Sequence, residues 1–163
     1  MKKDETSNSL THVDHEGKAN MVDVSQKTIS TRKAIAKSLI KMNPDTLEKI
    51  IKNEFEKGDV LSVARIAGIM GGKQTSALIP LCHPLQLTNL NVDFEIDKEN
   101  SQILIIATAK IASKTGVEME ALTAASICAL TIYDMCKAVD KKLKIETWLS
   151  HKSGGKSGDH QLD

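Results

Sequence analysis

A chain of 163 residues has the length of one ordinary domain, and its 40% apolar content is enough to give that domain a core. Its 22 Lys and Arg nearly cancel 21 Asp and Glu, so a formal charge of +1 speaks against a nucleic-acid coat or polybasic membrane binder and leaves phosphate recognition to local clusters. Four aromatic residues are too few for a base-stacking platform, the apolar runs fall short of the roughly 18 residues that cross a bilayer, and the first 20 residues hold no signal-peptide core. The expectation is a soluble, cytosolic protein with neither nucleic acid nor membrane as partner.

Residues 1–19 mix Lys, Asp, Asn, His and Gly without periodicity and are expected to form a flexible N-terminal segment ahead of one domain over 20–150. From Met21 to about Ile40 a strand is expected, because Val22 and Val24 alternate with polar neighbours, although Ala34–Ile40 would also suit a helix. Asn43-Pro44-Asp45 reads as a helix start: Asn can cap free amides, and Pro needs no amide partner at the first helical position. Leu47, Ile50, Ile51 and Phe55 continue it as one apolar stripe. Gly58 interrupts, Asp59 offers a second cap, and Leu61, Ala64, Ala67 and Gly68 give the next helix a face small enough for close approach.

Fixed φ at both ends of Pro80-Leu81-Cys82-His83-Pro84 predicts a stiff extended loop. Leu90, Val92, Phe94 and Ile96 alternate with polar residues, and after a turn Ile103, Ile105, Ala107 and Ala109 do the same, which predicts a β-hairpin with one buried face. From about Val117 to Val139 runs the longest helix, so rich in Ala, Leu, Ile, Met and Cys that most of its sides should be buried. Lys144–Ser150 reads as a closing strand, and 151–163 as a flexible tail rich in Gly and Lys. The whole predicts an α+β fold, an antiparallel sheet covered by helices.

The cysteines, Cys82, Cys128 and Cys136, form no C-x-x-C pair and read as reduced thiols. Asp134 and Lys137 share a face of the long helix at i,i+3; in a partly desolvated pocket such a pair exchanges protons near neutral pH, whereas a plain surface ion pair has the same spacing. Glu118 and Glu120 either complement the helix N-terminus or serve a ligand. At about 1.5 Å per residue, roughly 21 Å of straight helix separates Glu120 from Asp134. A long ligand spans that distance, or the first turn is not helical, or two subunits build one site.

Cys82 and His83 are open to three readings: nucleophile with base, metal ligands, or the wall of a pocket. Adjacent residues of an extended chain point apart, which disfavours the first two. Lys57 is an acid/base or anion-anchor candidate against the plainer reading of an exposed loop lysine. Gly155-Lys156-Ser157 does not complete a phosphate-binding loop, because Ser150 takes its first glycine position, but Lys152 and Lys156 can still wrap phosphates.

Taken together, Met21-Val22-Asp23-Val24-Ser25, Lys57-Gly58-Asp59-Val60, Leu78-Ile79-Pro80-Leu81-Cys82-His83-Pro84-Leu85, Lys114-Thr115-Gly116-Val117-Glu118-Met119-Glu120, Tyr133-Asp134-Met135-Cys136-Lys137 and Lys152-Ser153-Gly154-Gly155-Lys156-Ser157-Gly158 closely resemble the MoaC family, the cyclic pyranopterin monophosphate synthases of molybdenum cofactor biosynthesis. The resemblance implies a lyase that converts 3′,8-cyclo-7,8-dihydroguanosine 5′-triphosphate to cyclic pyranopterin monophosphate with release of diphosphate. It implies no metal or redox cofactor, and a ferredoxin-like domain assembled as a homohexamer, a trimer of dimers, with sites where subunits meet. It places the acid/base residue at Asp134, further proton transfer at Lys57 and Lys137, and substrate binding at Leu81, Cys82, His83, Met119 and Glu120. Glu118, Lys152 and Lys156 complete the expected binding set. The alternative is a non-catalytic nucleotide-binding or assembly subunit of the same fold. Gly71-Gly72-Lys73-Gln74 departs from an Ala-Ala-Lys-Arg-like stretch of the family, so Gln74 stands where a cation is expected.

Overall fold

Small apolar residues alternate with longer ones along the first strand, β1 (Ser30–Lys41), so that Ala34, Ala36, Ser38 and Ile40 are buried on one face while Lys33, Ile35, Lys37 and Leu39 occupy the other. The computed structural model, which describes residues 16–155 and 158–162, sets β1 in the middle of a five-stranded sheet. The hairpin strands β2 (Asn89–Asp97) and β3 (Gln102–Ser113) lie on one side of it, and β4 (Lys144–Ser153) and β5 (His160–Gln161) on the other. Every pairing is antiparallel, with Ala36 opposite Ala107, Ile40 opposite Ile103 and Val92 opposite Ala107. The order β2-β3-β1-β4 is the ferredoxin-like arrangement, with β5 added at the edge.

The helices are α1 (Pro44–Ile51), α2 (Val60–Lys73), α3 (Thr75–Leu78) and α4 (Glu118–Cys136). Ala121, Ala124, Ala125, Cys128, Ala129 and Ile132 of α4 are fully buried together with Ile103, Ile105, Ala107 and Ala109 of β3. Full burial of each Ile stabilises the fold by about 1.5–3 kcal/mol. Small residues bring α2 onto α4: a Cβ at Gly68 would stand 2.8 Å from the Ala124 carbonyl oxygen, and one at Gly72 would stand 3.0 Å from that of Glu120. The two glycines at 71 and 72 thus belong to a helix–helix seam.

By length and composition α4 is apolar enough to cross a membrane, which the short apolar runs of the sequence did not lead one to expect. In the fold 56% of its apolar window is buried, as in a core helix.

The structure differs from the sequence reading at several local points. The strand starts at Ser30, and residues 21–29 form no helix or ladder strand. Helix α1 stops at Ile51 because Asn53 takes a left-handed conformation (φ 56°) that ends the helix, so Phe55 packs from the following turn and Ile51 is 39% exposed. Asn43 occupies the cap position of α1, but its side chain makes no capping bond. Instead its backbone N–H donates to the buried carboxylate of Asp140 (2.8 Å). Asp59 caps α2 as expected, accepting from the Ser62 N–H at 3.0 Å.

Short helix α3 was not anticipated, and the proline-bracketed segment opens as a turn rather than an extended run. The Cys82 N–H donates to the Ile79 carbonyl (3.1 Å), with Pro80 at the corner that favours proline. Past residue 150 the chain is also more regular than a flexible tail: β4 continues to Ser153 and β5 pairs back on it. Gly154 (φ +85°) makes the bend, where a Cβ would strike the Thr31 carbonyl. Lys156 and most of the expected 1–19 segment lie outside the described residues.

Candidate active site

Two groups of polar residues occupy opposite ends of α4. At its C-terminal end, Lys137 Nζ lies 2.6 Å from Asp134 Oδ1, within one turn of helix. The turn after α1 brings Lys57 to the same carboxylate, with Nζ 3.5 Å from Asp134 Oδ2 and 3.2 Å from the Asp134 carbonyl oxygen. The partners come from positions 77 residues apart. Lys137 chiefly, and then Lys57, hold the Asp134 carboxyl below its ordinary value, and the Asp134 carboxylate raises the Lys137 ammonium. Met135 and Cys136 beside the cluster are buried, but the Lys57, Asp134 and Lys137 side chains are each more than half exposed. The partly desolvated pocket expected around this pair is therefore not formed within one chain.

At the N-terminal end a cavity of about 1150 Å³ opens between the proline-bracketed turn, the start of α4 and β4. Leu81, Cys82, His83, Glu118, Met119, Glu120 and Lys152 all line it. Seven of the eight expected binding residues thus line one cavity, and the eighth, Lys156, is not described. Cys82 and His83 reach the same cavity despite being adjacent, because the turn at Ile79–Cys82 reorients the chain. Lys152 Nζ stands 3.5 Å from Glu118 Oε1.

Glu120 is buried, and the lost hydration raises its carboxyl above the ordinary value, with the Glu118 charge adding to the effect. Burial raises the Cys82 thiol too, which leaves it a poor nucleophile. Among the described residues no group of three or more His, Cys, Asp or Glu is arranged to hold a metal ion.

Sequence reasoning gave no role to the segment that roofs this cavity. Val22, Val24 and Lys27 line it, the His83 Nε2 pairs with the Val22 carbonyl (3.0 Å), and Lys114 Nζ donates to the Ser25 carbonyl (2.6 Å). The string Met21–Ser25 was itself the available signal, since alternation without a partner strand fits a strap as well as a ladder. Arg32 was also missed. Its guanidinium donates to the Ser113 and Lys114 carbonyls (3.1 Å each), which ties β1 to the loop that leads into α4.

Because α4 is helical from Glu118 onward, the reading in which its first turn is not helical falls away. The two polar groups stand roughly 21 Å apart along its axis. A profile of the MoaC family matches residues 21–155, which includes both ends of α4 and the roofing strap. The chain belongs to the MoaC family. Its relatives include proteins named cyclic pyranopterin monophosphate synthase from Syntrophomonas wolfei (58% identical over 92% of this chain and 96% of the relative) and Natranaerobius thermophilus (56%, over 92% and 95%). Another, from Clostridium perfringens, is 57% identical over 93% of this chain and 97% of its own. The MoaC match thus spans the fold from strap to tail.

Proposed function

We propose that the protein converts 3′,8-cyclo-7,8-dihydroguanosine 5′-triphosphate to cyclic pyranopterin monophosphate and diphosphate, and that the two ends of α4 act together on that substrate. MoaC-type lyase activity in molybdenum cofactor biosynthesis follows from family membership and from relatives matched over nearly their whole length. The observation that carries the residue assignment is the convergence of Lys57, from a distant part of the chain, on the Asp134–Lys137 pair of α4. Opening a purine ring and rebuilding it as a pterin takes several proton transfers, which a carboxylate between two ammonium groups can relay. Closing the cyclic phosphate breaks a P–O bond and expels diphosphate, whose departing charge is stabilised by nearby cations. In this reading Asp134 is the acid/base group, Lys57 and Lys137 donate and accept protons beside it, and the cavity residues with Lys152 and Lys156 hold the substrate.

One small molecule cannot touch both ends of a 21 Å span, so the reading requires a second copy to bring its lysine–carboxylate cluster to the cavity of the first. An oligomer also gives the open cluster the desolvated surroundings it lacks in a single chain. The finer form is a homohexamer, a trimer of dimers, working in the cytosol, where reducing conditions keep free thiols such as Cys82, Cys128 and Cys136 unpaired. A scaffold that had lost its chemistry would have no use for three converging ionisable groups, which favours the enzyme over a non-catalytic subunit. Incubation with the cyclised GTP derivative is expected to yield diphosphate and a pterin. Asp134→Asn is expected to lose turnover by about 100-fold or more while keeping its circular dichroism. An unchanged rate would refute the role of Asp134, and a monomer by sedimentation would refute the shared site.

A further inference from the structure

The segment that follows α4 carries a buried acid that the proposed chemistry leaves unused. Asp140 is 2% exposed, and its carboxylate is fully engaged. Oδ2 accepts the Asn43 N–H (2.8 Å) and the Thr46 hydroxyl (3.3 Å), and Oδ1 accepts the Lys142 N–H (2.9 Å). Burial alone would raise this carboxyl, yet the Asn43 and Lys142 amides and the Thr46 hydroxyl together hold it below its ordinary value, so it is a charged anchor at neutral pH. Its own backbone N–H donates to the Cys136 carbonyl (3.0 Å), which fastens it to the last turn of α4.

Asp140 therefore joins two pieces of chain that each deliver part of the lysine–carboxylate cluster. On one side is the end of α4, where Lys137 forms the cap and Asp134 lies one turn earlier. On the other is the start of α1, a helix of only eight residues whose continuation carries Lys57. Buried Leu47 and Ile50 hold α1 by nondirectional contacts, whereas the two hydrogen bonds that Asp140 accepts from Asn43 and Thr46 are directional and fix the position of its first turn. We propose that Asp140 is a positioning residue for the reaction, setting the approach of Lys57 to Asp134 by fixing the start of α1 to the end of α4. The inference rests on the catalytic reading of that cluster. Because Lys57 meets Asp134 at 3.5 Å rather than at closest approach, a small shift of α1 breaks the contact.

Three variants test it, each checked for folding by its melting curve: Asp140→Asn, Thr46→Val and Asp134→Asn. Asn at 140 keeps the shape but replaces one acceptor oxygen with an amide that faces donors. It is expected to lower kcat roughly 10- to 100-fold, the scale of an ångström-sized misplacement, with KM within about twofold because the cavity is at the other end of α4. As Lys57 withdraws, Asp134 loses a cation that keeps it ionised, so the acid limb of the kcat–pH profile moves upward, an effect that simple loss of stability does not produce. Thr46→Val removes one bond and should shift kcat and the acid limb in the same direction by less. A folded Asp140→Asn protein with parental kcat and acid limb overturns the proposal, as does a rise in KM that accounts for the whole loss. If Asp140→Asn does not fold, parental kinetics in Thr46→Val overturn it. An active Asp134→Asn protein instead overturns the reading of the cluster itself.

Discussion

Gly68→Ala tests whether the seam between α2 and α4 is as close as its geometry demands. Two effects oppose each other. Alanine is the better helix former by about 1 kcal/mol, so on propensity alone the variant should gain stability. Its Cβ, however, would sit 2.8 Å from the Ala124 carbonyl oxygen and 3.0 Å from Cys128 Cβ. Neither neighbour can turn aside: the first is main chain in the middle of α4, and the second is fixed by its own backbone. Overfilling a packed site costs about 1–3 kcal/mol, and with rigid neighbours the upper part of that range applies. The net expectation is a loss of about 1–2 kcal/mol, or roughly 3–6 °C in Tm for a chain of this size. Urea denaturation followed by circular dichroism at one fixed protein concentration measures it, since assembly makes apparent stability depend on concentration. A variant as stable as the parent would mean that α2 is free to move away from α4, and the close-packed seam would be refuted.

Stability of Glu120→Gln should depend on pH relative to the parent. The folded Glu120 carboxyl is raised by burial, so between its unfolded and folded values the native state binds more protons, and stability falls as pH rises through that window. The Gln variant should melt close to the parent near about pH 4 and above it near about pH 7, and a difference that does not vary with pH would contradict this. Burial pushes the thiols of Cys128 and Cys136 up to about 12 and about 11. At about pH 8 a disulfide reagent should therefore label only Cys82 in the native protein, and slowly, with the other two appearing after denaturation; rapid labelling of more than one thiol in native protein would show that the helix is not packed as described.

Long periodic segments were legible. The hairpin declares itself through Val92 and Phe94 against Ala107 and Ile105, and α4 through its unbroken small and apolar residues, because both patterns report directly on which side meets the core. Capping at Asp59 was equally local and equally readable. What failed depended on partners distant in sequence. Asn43 looked like a helix cap, but the acceptor that decided its role, Asp140, lies 97 residues on. Val22 and Val24 alternate as in a strand, yet no neighbouring strand pairs with them, and His83 holds their segment over the cavity instead. Of the candidate site, the residues near each end of α4 were singled out by type, position and family resemblance, whereas the exposure of Lys57, Asp134 and Lys137 became visible only with the fold.

The central position of β1 sets the order in which the molecule can be made. Ser30 pairs with Ser113 on one side, and Lys33 pairs with Ser153 on the other, so the first strand among the described residues waits for the last long one. On a ribosome this strand emerges with neither neighbour yet synthesised, and α1 and α2 follow it without a platform to dock on. Such high contact order makes folding slow compared with a helical bundle and leaves an apolar strand unprotected through most of elongation. A nascent chain stopped before Lys144 would carry β1 with one open edge, a substrate for chaperones rather than a smaller working enzyme.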